Sequence, residues 1–268
     1  MPEALPNLPE FDRPPVVETV LSAQFEPIAA LSVARFGLFW NRIRDEFPQT
    51  ETRQALEPAI ETFDSLAPTQ PRLRLEMRSE VPPVRQWFIN AAGTELIQLQ
   101  NDRFLKNWRK SAAGDVYPRY QKAIKPGFDR HFRVLSDWLQ SESLGDARVT
   151  QCEVTYVNHI VSGEGWERWS EAATVFPFLH SMPVEIEDGA FFLRLPIRWQ
   201  ERQVGRLSVE IHPALRATDQ RPIYVMNLTA RGQIGGACDF FDIGREAVVT
   251  NFARLTSAHM HEIWGRKK

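Results

Sequence analysis

The run Leu96 to Lys110, LIQLQNDRFLKNWRK, constrains this chain more than any other, because its alternation around Asn101-Asp102 is that of an antiparallel hairpin. Folded so, Ile97, Leu99, Phe104, Lys106 and Trp108 share one face. Gln98, Gln100, Arg103, Leu105, Asn107 and Arg109 share the other. The first set reads as core. The second reads as a polar surface.

The remaining chain repeats one grammar. Residues 1–15 are studded with proline and predict an extended tail. Val16 to Phe25 is a strand. From a Ser32 cap, Val33, Phe36, Phe39, Trp40, Ile43 and Phe47 predict a helix of about four turns, ended by Pro48. Gln49 to Pro71 reads as a connection. Arg72–Met77, Val84–Ile89 and the two hairpin strands then predict an antiparallel meander, followed by a helix from an Asp115 cap to Leu139, kinked or restarted at Pro126-Gly127.

After a break at Ser141 to Ala147 the order recurs. A strand at Val149–Val161 precedes a helix at Gly165–Leu179, a weak strand near Val184–Glu187, and strands at Phe191–Trp199, Gly205–His212 and Ile223–Arg231. A long helix from Asp239 follows, and Thr256 or Ser257 caps a last short one. This predicts an α+β fold with a tail (1–15) and two pseudo-repeats (16–145 and 146–268) of β-α-β(3–4)-α. Curved antiparallel strands are then covered on one face by long helices and left open on the other. The TATA-box-binding-protein-like arrangement has this order of elements, and helix-grip folds lie near it.

Composition removes several function classes. With 32 basic against 34 acidic side chains, no overall field draws in nucleic acid. Cys152 and Cys238 make neither a disulfide framework nor a zinc site, which fits a reducing cytoplasm. No apolar run of about 18 residues could cross a bilayer. The six histidines show no HxxxH or HExxH spacing, and Gly232 to Gly236 matches no phosphate-binding loop, so no metal or cofactor is expected. Glu185, Glu187 and Asp188 read as a turn. Trp87 and Trp199 stand in predicted strands as core or stacking residues.

The candidate binding residues are therefore Gln98, Gln100, Arg103, Asn107 and Arg109, a set of amides and guanidiniums suited to a carboxylate, phosphate or base edge. Glu18 joins them. It and Glu153 each interrupt an apolar strand and are expected to face arginines such as Arg103 or Arg109 across the sheet.

The segments PPVVETVLSAQFEP, LIQLQNDRFLKNWRK with the following YPRY, and FARLTSAHMHEIWGR resemble a sporadically distributed family of uncharacterised bacterial and archaeal proteins. The matching positions are Pro14, Pro15, Glu18, Gln98, Gln100, Asp102, Arg103, Phe104, Asn107, Trp108, Arg109, Tyr117, Pro118, Tyr120 and Trp264. The resemblance implies no residue roles; a patchy distribution of this kind goes with mobile or defence genes. The leading functional expectation is a non-enzymatic module that binds a protein or a small anionic ligand on an open polar sheet face. Two alternatives stand beside it: a nucleic-acid-binding saddle, and an enzyme with a pocket between sheet and helices.

Overall fold

The computed structural model describes residues 8–57, 59–63, 83–184, 186–233 and 240–267. In chain order the elements are β1 (Val16–Phe25), α1 (Val33–Trp40), β2 (Gln49–Gln54), β3 (Val84–Ile89), β4 (Glu95–Gln100), β5 (Arg103–Arg109) and α2 (Lys125–Ser141). Then come β6 (Val149–Val161), α3 (Ala172–Val175), β7 (Phe191–Trp199), β8 (Arg202–Leu215), β9 (Pro222–Gly232), α4 (Phe240–Leu255) and α5 (Ala258–Ile263). The strands form one antiparallel sheet in the order β2-β3-β4-β5-β1-β6-β9-β8-β7. The central strand β1 and its neighbour β6 come from different halves of the chain.

Alternation sorts the two faces. Register pairs Leu99 with Phe104, Phe104 with Ala23, Ala23 with Cys152 and Cys152 with Gly232. That face continues through Leu21, Val154, Leu207, Val209, Leu228 and Ala230, all 1% exposed or less, and the helices lie on it. Phe128 and Phe132 of α2 edge onto Phe104, and Phe39 of α1 onto Phe88. At Gly205 and Gly232, paired directly across β8 and β9, the absence of a side chain lets the Phe240 ring of α4 lie against the backbone.

Several expectations need correction. The helix from Ser32 ends at Trp40, because the chain tightens into short turns such as Ile43 N–H to Trp40 C=O before Phe47 packs inward. Gln49–Gln54 is an edge strand rather than a connection, exposed at every position and so without an apolar period to betray it. Asp115 caps no helix; its carboxylate accepts from the Ser111 and Ala112 amides, and the chain passes through a π-helical turn at Tyr120–Ile124 before α2 starts at Lys125 with Pro126 in its first turn. Gly165–Leu179 breaks into short turns around α3. The described residues of Val184–Glu187 form no strand. Arg72–Met77, Glu185, Cys238 and Asp239 lie outside the described residues, as does most of the Gly232 to Gly236 loop. The described part of the tail, from residue 8, bends at Asp12 and Arg13, and its Phe11 is buried against Phe252 and Trp264.

Lys106 lies on the helix-covered face at 6% exposure, as its register dictates, and pairs with Glu95. Beside it, His131 is 1% exposed; its Nδ1 bonds Gly127 C=O at 2.8 Å and its Nε2 lies 3.4 Å from Glu46. Burial, then the charges of Lys106 and Arg130, lower the His131 pKa from 6.5 to about 4. In that window the unfolded chain takes up a proton that the folded one refuses. Stability from this group is therefore intact above pH 6.5 and falls by roughly 3 kcal/mol on descending to pH 4. His131→Asn, which keeps a donor for Gly127, is expected to flatten that part of a denaturation-versus-pH curve. An unchanged slope would contradict the assignment. Among the described residues, no helix is long and apolar enough to cross a membrane, and no His, Cys, Asp or Glu group could hold a metal.

Candidate functional site

The second sheet face carries most of the sheet's polar side chains, with Leu96, Leu105 and Val20 among them. Register sets Gln100 opposite Arg103, Arg103 opposite Gln24, Gln24 opposite Gln151, and, one pair along, Ser22 opposite Glu153 and Glu153 opposite Arg231. All six candidate residues stand on it, as the two-residue period requires.

They divide by their partners. Gln98 Nε2 donates to Asn107 Oδ1 at 2.8 Å, and Asn107 Nδ2 donates to Glu18 Oε1 at 2.6 Å, a short relay across β4, β5 and β1. Arg109 stands opposite Glu18 but donates to Gly93 C=O at 2.8 Å, bracing the turn between β3 and β4. Gln100 and Arg103 instead meet a second stretch of chain. This is the segment after β2, described at residues 55–57 and 59–63, which runs over the polar face from β4 to β8 like a strap.

The face is consequently not open where the candidates lie. Gln98, Gln100, Arg103 and Asn107 are between 2% and 5% exposed. The strap's contacts explain the hold at Gln100 and Arg103. Leu56 N–H donates to Gln100 Oε1 at 3.0 Å while Gln100 Nε2 donates to Leu56 C=O at 3.2 Å, so one carboxamide imitates a neighbouring strand. Arg103 donates to Glu57 C=O at 3.4 Å and to Gln24 at 2.7 Å. Gln151 repeats the two-point grip, accepting from Glu61 N–H at 2.9 Å and donating to Ala59 C=O. Beyond it, Arg206 and Arg231 converge on the Glu61 carboxylate at 2.5 and 3.4 Å, and that side chain is 7% exposed.

Burial lowers the Arg103 pKa, while Glu153 and Asp102 pull it back up. Arg85 is likewise lowered by burial, and then by Arg103 and Arg53. The face therefore carries packed cations among interleaved carboxylates. Glu153 pairs directly with Arg231, its Oε2 accepting from Nε at 2.6 Å, and reaches Arg103 through its charge alone. Gln98 Oε1, Arg103 Nε and Asn227 Oδ1 are buried without a hydrogen-bond partner among the described residues.

Sequence reasoning missed Gln24, Gln151, Arg206 and Arg231. A usable signal existed for Gln151, a polar residue inside an apolar strand at the same parity as Glu153. Trp87 belongs to this polar face, between Arg53 and Arg85 at 5.0 and 5.5 Å from its ring, whereas Trp108 is core. The arrangement can hold extended polypeptide by its amides and one acidic side chain. No family model, curated protein or solved structure matches the chain.

Proposed function

We propose that this chain is a non-enzymatic binding module whose polar sheet face holds an extended, acidic stretch of polypeptide, with its own strap standing there as an internal occupant. The observation that carries the reading is the pair of carboxamides, Gln100 and Gln151, gripping main-chain amides while Arg206 and Arg231 close on one carboxylate. Main-chain contacts of this kind supply affinity, and the charged pocket supplies selectivity. Glu18, Glu153 and Glu210 on the same face weaken the case for a phosphate backbone as the partner.

The sheet order, with β5, β4, β3 and β2 running outward from β1 and β9, β8 and β7 running outward from β6, supports a duplicated unit and a TATA-box-binding-protein-like saddle. The motif residues around the hairpin support membership of the sporadic bacterial and archaeal family. Both belong to the same reading: a saddle whose hollow is a docking surface.

The test is a synthetic peptide of residues 55–63, ALEPAIETF, titrated into the full chain carrying Glu61→Ala. Wild-type chain competes for its own face at an effective concentration of about millimolar. The loosened variant is expected to bind the peptide at least about tenfold more tightly than wild type. Adding Arg231→Ala and Arg206→Ala is expected to abolish that binding. Equal affinities in all three chains, each still folded, would refute the proposal.

A further inference from the structure

A cavity of about 600 Å³ lies on the opposite, helical side of the sheet, between the N-terminal segment, the turn at Tyr117–Lys122 and α4. That volume is in the range of small-molecule sites, roughly 300–1,000 Å³. Its apolar wall comes from Val16, Leu228, Val248, Val249 and Phe252. Tyr117, Tyr120, Tyr156 and Arg245 bring the polar groups. We infer that this cavity is a binding site for an organic monocarboxylate with an apolar body, its carboxylate received by Arg245 and the neighbouring tyrosine hydroxyls.

Charge accounting selects the anion. Of the cavity's cations, Arg119 donates to Phe11 C=O at 2.8 Å and lies 3.9 Å from Glu10, Lys267 pairs with Asp12 at 2.6 Å, and Lys122 is exposed to water. Arg245 alone has neither a carboxylate within ion-pair distance among the described residues nor full exposure. Its guanidinium sits 4.8 Å from the Tyr120 ring centroid, and its Nε is buried with no acceptor. A buried N–H of a charged group without a partner is costly, and one carboxylate would satisfy both its charge and its donor. A phosphate dianion would bring more charge than this single unpaired cation answers.

A second, independent observation points the same way. Tyr120 is 1% exposed, and its hydroxyl has no partner at full hydrogen-bond geometry among the described residues, the Asp242 carboxylate standing near it. Tyr117 and Tyr156 hydroxyls meet each other at 2.8 Å, which leaves that pair one further proton to donate. Burial raises the pKa of all three phenols, so they remain protonated donors and not bases. The backbone that presents Tyr120 is itself unusual: Arg119 has φ +72°, rare for a side chain of its size, and a π-helical turn follows.

Isothermal titration of the full chain with sodium octanoate, against 1-octanol as the uncharged isostere, tests this. Octanoate is expected to bind one site per chain at least about tenfold more tightly than octanol. Arg245→Gln should remove that preference and leave octanol unaffected. Val249→Trp, which fills the cavity from a half-buried helix position, should block both and stands as the test if the arginine variant fails to fold. Glu61→Ala, on the far side of the sheet, should change neither affinity, which separates this site from the sheet-face reading. No heat with either probe, equal affinity for the two, or octanoate binding unchanged in Arg245→Gln would each overturn the inference.

Discussion

Gly232→Val is expected to cost on the order of 4–5 kcal/mol and to lower Tm by about 10–15 °C, the largest loss of any single substitution considered for this chain. A Cβ built on Gly232 would stand 2.3 Å from Val204 O, 2.4 Å from Phe240 Cε2 and 2.8 Å from Gly205 Cα. Two of those three neighbours are backbone of the adjoining strand, which cannot swing away as a side chain tip would. Relief requires β8 and β9 to separate or Phe240 to leave the sheet. Either movement unseats α4, whose Gly244 packs 3.1 Å from Val154 and 3.4 Å from Ala230, measured at the position of an added Cβ. Thermal denaturation followed by circular dichroism measures the loss directly. A shift below about 3 °C would mean that the glycine pair is not the contact that seats α4.

The second large effect is local. Glu61→Ala strands two guanidiniums, and removing one partner of a fully buried pair costs about 3–5 kcal/mol. The arginines here are 15% and 22% exposed, and Arg231 keeps Glu153, so about 2–3 kcal/mol is the appropriate figure. The strap can lift away without unfolding the sheet, and the cost is therefore expected to appear as local opening. Hydrogen exchange at the Leu56 and Glu61 amides, both bonded to glutamine carboxamides, should accelerate about 30- to 150-fold, while Tm changes little. A parallel fall in Tm would make the strap part of the cooperative core and close the route to an outside partner.

How much of this was legible depends on what each segment meets. The hairpin and β6 were readable because each strand has one apolar and one polar edge, and a period of two survives any tertiary context. The edge strand QTETRQ carries no such record: it is exposed along its whole length, and beyond the backbone ladder it meets β3 only through surface side chains such as Thr52 with Gln86 and Arg53 with Trp87. The kink before α2 was visible at Pro126-Gly127, whereas the π-helical turn at Tyr120–Ile124 has no residue signature of its own. For the site, polarity assigned Gln98, Gln100, Arg103, Asn107, Arg109 and Glu18 to one face but could not say what they touch. A glutamine looks the same in sequence whether it faces water or a peptide amide. The covering strap contains Pro58 and little periodicity, which is the signature of a linker.

The seam at the middle of the sheet also governs how the molecule must be made. β1 reaches its second neighbour only when β6 arrives, and the first seam pair, Val16 with Asn158, joins residues from opposite halves of the chain. Until then the nascent first half presents the bare N–H and C=O groups of a ten-residue strand, VVETVLSAQF, to whatever strand comes first. A chain that stalls or is cut before Val149 keeps that edge permanently, and a second such fragment is its nearest substitute for β6.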